Sequence, residues 1–140
     1  MSSTDSKENI TKFVRFEDGI LSTLKMLEEG IISDINIRDS SDYDCTALMS
    51  QAYHGTVESM ESLLAHKPPA LVNLKDRHGL TALHWAVDSR DGPAKVRLLL
   101  DYGADKTIRC GGRTALDRAR SGNLTDCIKV LESYTPKPRG

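Results

Sequence analysis

The sequence predicts an all-α solenoid of stacked helix-turn-helix units, and three observations carry that prediction. The triplet Thr-Ala-Leu recurs as Thr46-Ala47-Leu48, Thr81-Ala82-Leu83 and Thr114-Ala115-Leu116, at spacings of 35 and 33 residues, a period typical of repeat architectures. Each triplet opens an apolar stretch at helical spacing, followed by a break and a second such stretch. The aromatic content is low, with 4 Tyr, 2 Phe and 1 Trp in 140 residues. The core must therefore be built mainly from Leu, Ile, Val and Ala, which favours helices over a β-sandwich. The hydrophobic fraction of 39% lies in the ordinary globular range once glycine is counted.

Taken in order, the first unit pairs TALMSQAY with VESMESLLAH across His54-Gly55-Thr56. The second pairs TALHWAVDS with AKVRLLLDY across Arg90-Asp91-Gly92-Pro93. The third pairs TALDRARS with TDCIKVLESY across Gly122-Asn123. Helices this short are marginal alone, so they must gain stability by stacking on neighbours. Threonine at each first-helix start is placed to cap free backbone amides. Gly79 and Gly112, two residues before their threonines, suit a tight turn with positive φ. Gly103 follows Leu100 as a left-handed helix terminator.

These residues resemble the ankyrin repeat, and the middle unit carries the likeness best: Asp76-Arg77-His78-Gly79-Leu80, then TALHWAV, then Val96-Arg97-Leu98-Leu99-Leu100, then Gly103-Ala104-Asp105. The resemblance implies β-hairpin loops between the helix pairs and a scaffold role for His84, bonding backbone of the adjacent loop. Where the family places proline at the first helical position, this chain has Ala47, Ala82 and Ala115. The linker His66–Asn73 is two residues longer than the family's. Asp117 and Arg120 stand where histidine and alanine would pack on a following repeat, which gives the third unit the polar character of a terminal cap. A degenerate unit precedes the first clear one, with Asp18-Gly19 through Gly30 as turn, second helix and terminator. Four repeats are expected, over about 10–40, 41–75, 76–109 and 110–135, forming a domain over 10–135. Residues 1–9 and 136–140 are read as polar tails.

Net charge is −1, which excludes bulk electrostatics as a basis for strong polyanion binding. Residues 1–75 carry 7 Lys+Arg against 12 Asp+Glu, whereas residues 76–140 carry 12 against 8. This asymmetry has two readings: differently charged solvated surfaces, or a basic end that steers an acidic partner segment. A nucleic-acid-associated role would draw on Arg90, Lys95, Arg97, Lys106, Arg109, Arg113, Arg118 and Arg120. No run approaches the roughly 18 apolar residues a membrane span needs, and the first residues lack the pattern of a secretory signal. Cys45, Cys110 and Cys127 have no zinc or redox spacing and read as free thiols, with a cytoplasmic or nuclear location expected. Neither a catalytic constellation, a metal-ligand pair nor a phosphate loop is found, so no enzyme activity, cofactor or metal is expected.

What the resemblance implies is a non-enzymatic protein–protein interaction module, an adaptor or regulator that is monomeric by itself. It would bind a partner protein through the concave side formed by hairpin tips and first helices. The family's variable positions fall on Asp42, Tyr43, Tyr53, His54, Arg77, His78, Leu80, Asp88 and Arg113. Trp85 is added, either as packing between first helices or as a partner-facing edge. Tyr, Trp and Arg are the types that dominate interface energies, and Leu80 is expected to be an apolar anchor at a hairpin tip. Other small ankyrin proteins inhibit a kinase or bind an actin-capping partner, which supplies the alternative function.

Overall fold

A computed structural model describes residues 28–30, 34–39, 43–67 and 69–134. The greater part of the expected first repeat, both tails and Asp42 lie outside the described residues. A short ladder of β1 (Arg38–Asp39) and β2 (Cys45–Thr46) leads into six helices: α1 (Ala47–His54), α2 (Val57–Leu64), α3 (Ala82–Val87), α4 (Gly92–Asp101), α5 (Ala115–Ser121) and α6 (Thr125–Ser133). The first helices α1, α3 and α5 pack in one row, the second helices α2, α4 and α6 in another, and each pair joins the two. The three Thr-Ala-Leu triplets thus occupy equivalent places in one stack. Ala47, Ala82 and Ala115, which open the three first helices, are all buried.

Each first helix starts with a reciprocal cap between threonine and the residue three positions on, and the partner differs each time. The Thr46 hydroxyl accepts from the Met49 amide at 3.3 Å. The Thr114 hydroxyl accepts from the Asp117 amide at 3.2 Å, while the Asp117 carboxylate accepts the Thr114 amide at 3.0 Å. Hydrogen bonds from the Thr114 backbone and side chain hold the Asp117 carboxyl below the usual carboxylate range. In α3 the partner is His84. Its Nδ1 accepts from the Thr81 amide at 3.2 Å and faces the Thr81 hydroxyl at 2.9 Å. That leaves the proton on Nε2, 3.3 Å from the Arg113 carbonyl of the next unit. His84 is therefore an inter-unit strut, and it is only 2% exposed.

The loops follow the left-handed chemistry read from the sequence, and the last unit adds an asparagine to it. Gly103 has φ +93, and its amide bonds the Leu100 carbonyl while the Ala104 amide reaches Leu99, a Schellman terminator. In the last unit Asn123, rather than Gly122, takes the left-handed φ of 55, with the same bond pattern to Arg120 and Ala119. The β-hairpins are reduced to the β1–β2 ladder, with Arg38 opposite Thr46, and a single bridge between Cys110 and Arg113. Gly111 and Gly112 at φ 59 and 82 close the latter. At the middle unit a turn replaces the ladder, closed by the Asp76 amide on the Leu80 carbonyl at 2.8 Å. Asparagines link successive units at the opposite end: Asn36 accepts the Leu71 amide at 2.7 Å and Asn73 accepts the Asp105 amide at 2.8 Å.

The core is a single cluster running through all three helix pairs, from Ile35 to Leu131. Gly92 opens α4 against it: a Cβ there would lie 2.9 Å from the Ala86 carbonyl and 3.1 Å from the Cys127 sulfur. Lys95 is 1% exposed, and its ammonium has no hydrogen-bond partner among the described residues. This corrects its placement on a basic surface: the aliphatic position it occupies in α4 faces the core. Burial pushes the Lys95 pKa down, opposed by the nearby Asp91 charge.

Two outcomes follow for stability. Lys95→Met keeps the chain volume and removes an unpartnered polar group, and is expected to stabilise the fold by about 1–3 kcal/mol, read as a higher denaturation midpoint; an unchanged or lower midpoint refutes the buried placement. Burial also lowers the His84 pKa from 6.5, against the raising effect of its bond to Arg113. A base depressed in the folded state contributes stability above its unfolded pKa and loses it as pH falls. Stability should therefore decline as pH falls below about 6.5, and His84→Gln, weaker at neutral pH, should show a flatter profile there.

Candidate functional site

The exposed face of the first helices is organised around two aromatic rings. Residues 47–52 of α1 are buried, and the helix emerges from the stack at Tyr53, 40% exposed, and His54. The Tyr53 ring meets His54 edge-on at 4.8 Å and Trp85 edge-on at 5.4 Å. Trp85 is half-buried and packs against the core, while its indole N–H donates to the Asp76 carboxylate at 3.0 Å. One edge of Trp85 thus packs on the core, and the other forms a wall of a cleft on this face.

Asp76 sets that wall in place. It is buried, and its second oxygen accepts the amides of His78 and Leu80 at 2.9 and 3.0 Å. One carboxylate therefore shapes the turn and orients the indole, with every hydrogen bond coming from an N–H donor. Sequence reading took Asp76 as part of the repeat pattern and missed its hold on Trp85. The signal for the turn was present, an aspartate two residues before a backbone amide it can accept; the indole lies nine positions away on another element.

Tyr53, Leu80, His84, Trp85, Asp88 and Arg118 enclose a cleft of about 330 Å³ between the first helices. Leu80 lines it, half-buried, so it stands below the hairpin tip rather than on it: its amide and carbonyl are both tied to Asp76. Asp88 and Arg118 flank the cleft as an ion pair, Nε to Oδ2 at 2.6 Å, with both side chains more than a third exposed. Surface pairs of this kind contribute about 0–1 kcal/mol, so this one holds side-chain positions more than it holds the fold.

A second group lies at the turns. The Tyr43 ring, 47% exposed, lies 4.7 Å from the His78 ring, and its carbonyl accepts the Arg77 amide at 2.7 Å. Arg77 pairs with Asp44 at 3.4 Å, and the Cys110 thiol donates to the His78 carbonyl at 3.0 Å. Tyr43 and Asp44 both have φ 56, where the third unit uses two glycines. Non-glycine residues held so cost about 1–3 kcal/mol each and cluster at functional surfaces. Arg113 is exposed, with a guanidinium contact to the Ser121 hydroxyl at 3.3 Å. Of the ten residues singled out by sequence, Tyr53, His54, Leu80, Trp85 and Asp88 gather in or beside the cleft; Tyr43, Arg77, His78 and Arg113 sit on the turns.

Other chemistry finds less support in the geometry. Cys45 and Cys127 are buried, and burial pushes the Cys127 thiol up, away from the reactive thiolate. Among the described residues no three His, Cys, Asp or Glu side chains converge as a metal site requires, and no helix is long and apolar enough to cross a membrane. The basic set is divided: Lys95 is buried, Lys106 caps the Leu131 carbonyl, and Arg120 pairs with Glu132 at 2.8 Å.

Comparison with known proteins agrees with this architecture. A sequence profile described as ankyrin repeats (three copies) matches residues 14–110. The chain is 29% identical over 122 residues, 85% of its length, to alpha-latrotoxin-Lg1a of Latrodectus geometricus. It is 35% identical over 100 residues, 71% of its length, to the ankyrin repeat domain-containing protein SAT10 of Stachybotrys chartarum. It spans only 9% and 5% of those two relatives, so the likeness concerns the repeat array and not either whole protein. Helix pairs stacked in two rows, threonine caps, the His84 strut and the profile match all lead to one assignment: the chain belongs to the ankyrin-repeat family.

Proposed function

We propose that this protein is a non-enzymatic binding module, an adaptor or regulator that grips a partner protein on the face formed by its first helices and turns. The observation that carries this reading is the cleft between Tyr53 and Trp85 with Leu80 at its side. Ankyrin repeats generally mediate protein–protein contacts, and this cleft places aromatic and aliphatic surface where a partner can cover it. Aromatic residues and arginine in a partly desolvated depression are the composition of interface hot spots. The indole is held by Asp76, so little side-chain freedom remains to be lost on binding. A reducing compartment, cytoplasm or nucleus, suits its three cysteines, none of them in a disulfide.

A nucleic-acid-associated role is the weaker reading, since half of the set on which it would rest is already committed: Lys95 lies in the core, Lys106 caps a helix end, and Arg118 and Arg120 are in ion pairs.

The test is affinity capture from native lysate with the wild-type chain and the triple variant Tyr53→Ala, Arg77→Ala, Leu80→Ala. The wild type is expected to retain a discrete partner that resists nuclease and moderate salt, and the triple variant to lose it. Arg77 and Tyr53 are exposed, so each single change should lower stability by no more than about 1 kcal/mol, checked by thermal melting. Equal capture by a folded triple variant refutes the assignment of this face. A steep loss of binding with added salt, together with nuclease sensitivity, favours nucleic acid instead.

A further inference from the structure

Charge is distributed unevenly around the cleft, and the imbalance identifies what fits. On its aromatic side, Tyr53, Trp85 and Leu80 present apolar surface with no charged group among them. On the other side stands Arg118, whose Nε is engaged by Asp88. The two amino groups of its guanidinium have no hydrogen-bond partner among the described residues. Beyond it, the turn of the third unit carries Arg109 and Arg113, both exposed, and neither has an ion-pair partner among the described residues. Arg109 is held to its own turn by the Gly112 carbonyl. The Arg113 carbonyl contacts His84, a wall of the cleft, which brings that turn to the cleft's edge. At the opposite end, by contrast, the Asp44 carboxylate is met by Arg77. The nearby carboxylates are already engaged, Asp88 by Arg118, Asp76 by two amides and the indole, and Asp117 by the Thr114 backbone and side chain beside the charges of Arg109 and Arg120; what stays open on the side of the third unit, next to an apolar slot, is the remaining guanidinium edge of Arg118 and the exposed Arg113.

We infer that the cleft takes an extended acidic segment of a partner protein, one large apolar side chain seated between Tyr53, Leu80 and Trp85 and a neighbouring carboxylate on the free guanidinium edge of Arg118. This rests on the reading of the first-helix face as the binding surface. The chemistry is specific. A guanidinium presents paired donors in one plane and holds a carboxylate through two charge-assisted hydrogen bonds. A volume of about 330 Å³ is at the lower end for a ligand pocket; it suits one bulky side chain of a partner segment. The third unit's arginines add long-range attraction for further acidic residues, speeding encounter and salt-sensitive. A basic segment would meet Arg118, Arg109 and Arg113 as like charges.

The experiment selects binders from a random peptide display library on the immobilised full chain. Affinities of synthetic versions of the selected peptides are then read by fluorescence of Trp85, the single tryptophan of the chain. Selected peptides are expected to combine an aromatic or large aliphatic residue with aspartate or glutamate a few positions away. Replacing those carboxylates by amides should weaken binding about tenfold or more. Arg118→Gln should weaken the acidic peptide to a similar extent and leave its amide version unaffected. Arg118→Lys, which keeps charge without the planar fork, should fall between. Asp88→Asn, which removes the competing carboxylate, should tighten binding, a gain that a merely structural role for the pair does not produce. Thermal melts confirm that each variant is folded.

Peptides enriched in basic residues, peptides with no acidic preference, insensitivity to Arg118→Gln, or an empty selection each overturn the inference. Peptides that lack acidic preference but are lost in Tyr53→Ala or Leu80→Ala overturn it while leaving the binding face in place. Peptides indifferent to those two substitutions count against the face as well.

Discussion

Helices of six to ten residues do not persist alone in water, because the cost of nucleation is spread over too few hydrogen bonds. Every other feature of this molecule follows from that shortfall. The apolar stripe of each helix is covered only when the next pair is laid against it, so α1, α3 and α5 must stack, as must α2, α4 and α6. The residue that opens each first helix is small and lies inside the stack: Ala47, Ala82 and Ala115 have hardly any exposed surface. The family's proline would preset one dihedral at the same place; alanine gives up that constraint and keeps helix propensity. A continuous core from Ile35 to Leu131 makes the array cooperative between neighbours and leaves the opposite side of each first helix free.

Stacking by apolar area alone would tolerate sliding, and polar contacts between units prevent it. His84 bridges the start of α3 and the turn of the next unit, and neutrality is what lets it do so: one ring nitrogen accepts while the other donates. Asn36 and Asn73 do the same job at the far end, each binding a backbone amide about one repeat onward. These bonds act as spacers because hydrogen bonds lose strength steeply with distance and angle. The ladder stops where no described unit follows. Thr107, the residue after Lys106, turns back onto its own Asp105 at 2.6 Å, and Asp117 replaces the histidine strut with a purely local cap.

The proposed binding face rests on the rigidity so produced. Asp76 links the turn to Trp85 through one buried carboxylate, and the edge-on contact with Tyr53 joins two successive units. A cleft whose walls come from three units is only as well defined as the stack beneath it. Two local features run against stability. Tyr43 and Asp44 hold positive φ without glycine, and Lys95 lies in the core without a partner for its ammonium. The first lies on the face itself, where strain accompanies a defined side-chain presentation. Nothing in the contacts of the cleft explains the second.

The repeat period, the order of helices, the threonine caps and the Gly103 terminator were legible in the sequence, because each rests on residues close together in the chain. The scaffold role of His84 was legible through family resemblance. Local reasoning failed where a neighbouring unit decided the outcome. Leu80 reads as a tip residue by position, yet Asp76 draws its backbone below the tip. Lys95 reads as a surface charge, yet the packing of α4 turns it inward. The link between Asp76 and Trp85 and the meeting of Arg118 with Asp88, 30 residues apart, belong to the assembled stack. Short-range dihedral and capping preferences are written in adjacent residues and determine the elements by themselves. The cleft, its aromatic wall and its exposed guanidinium depend on how three units sit against one another, and only the tertiary structure decides that.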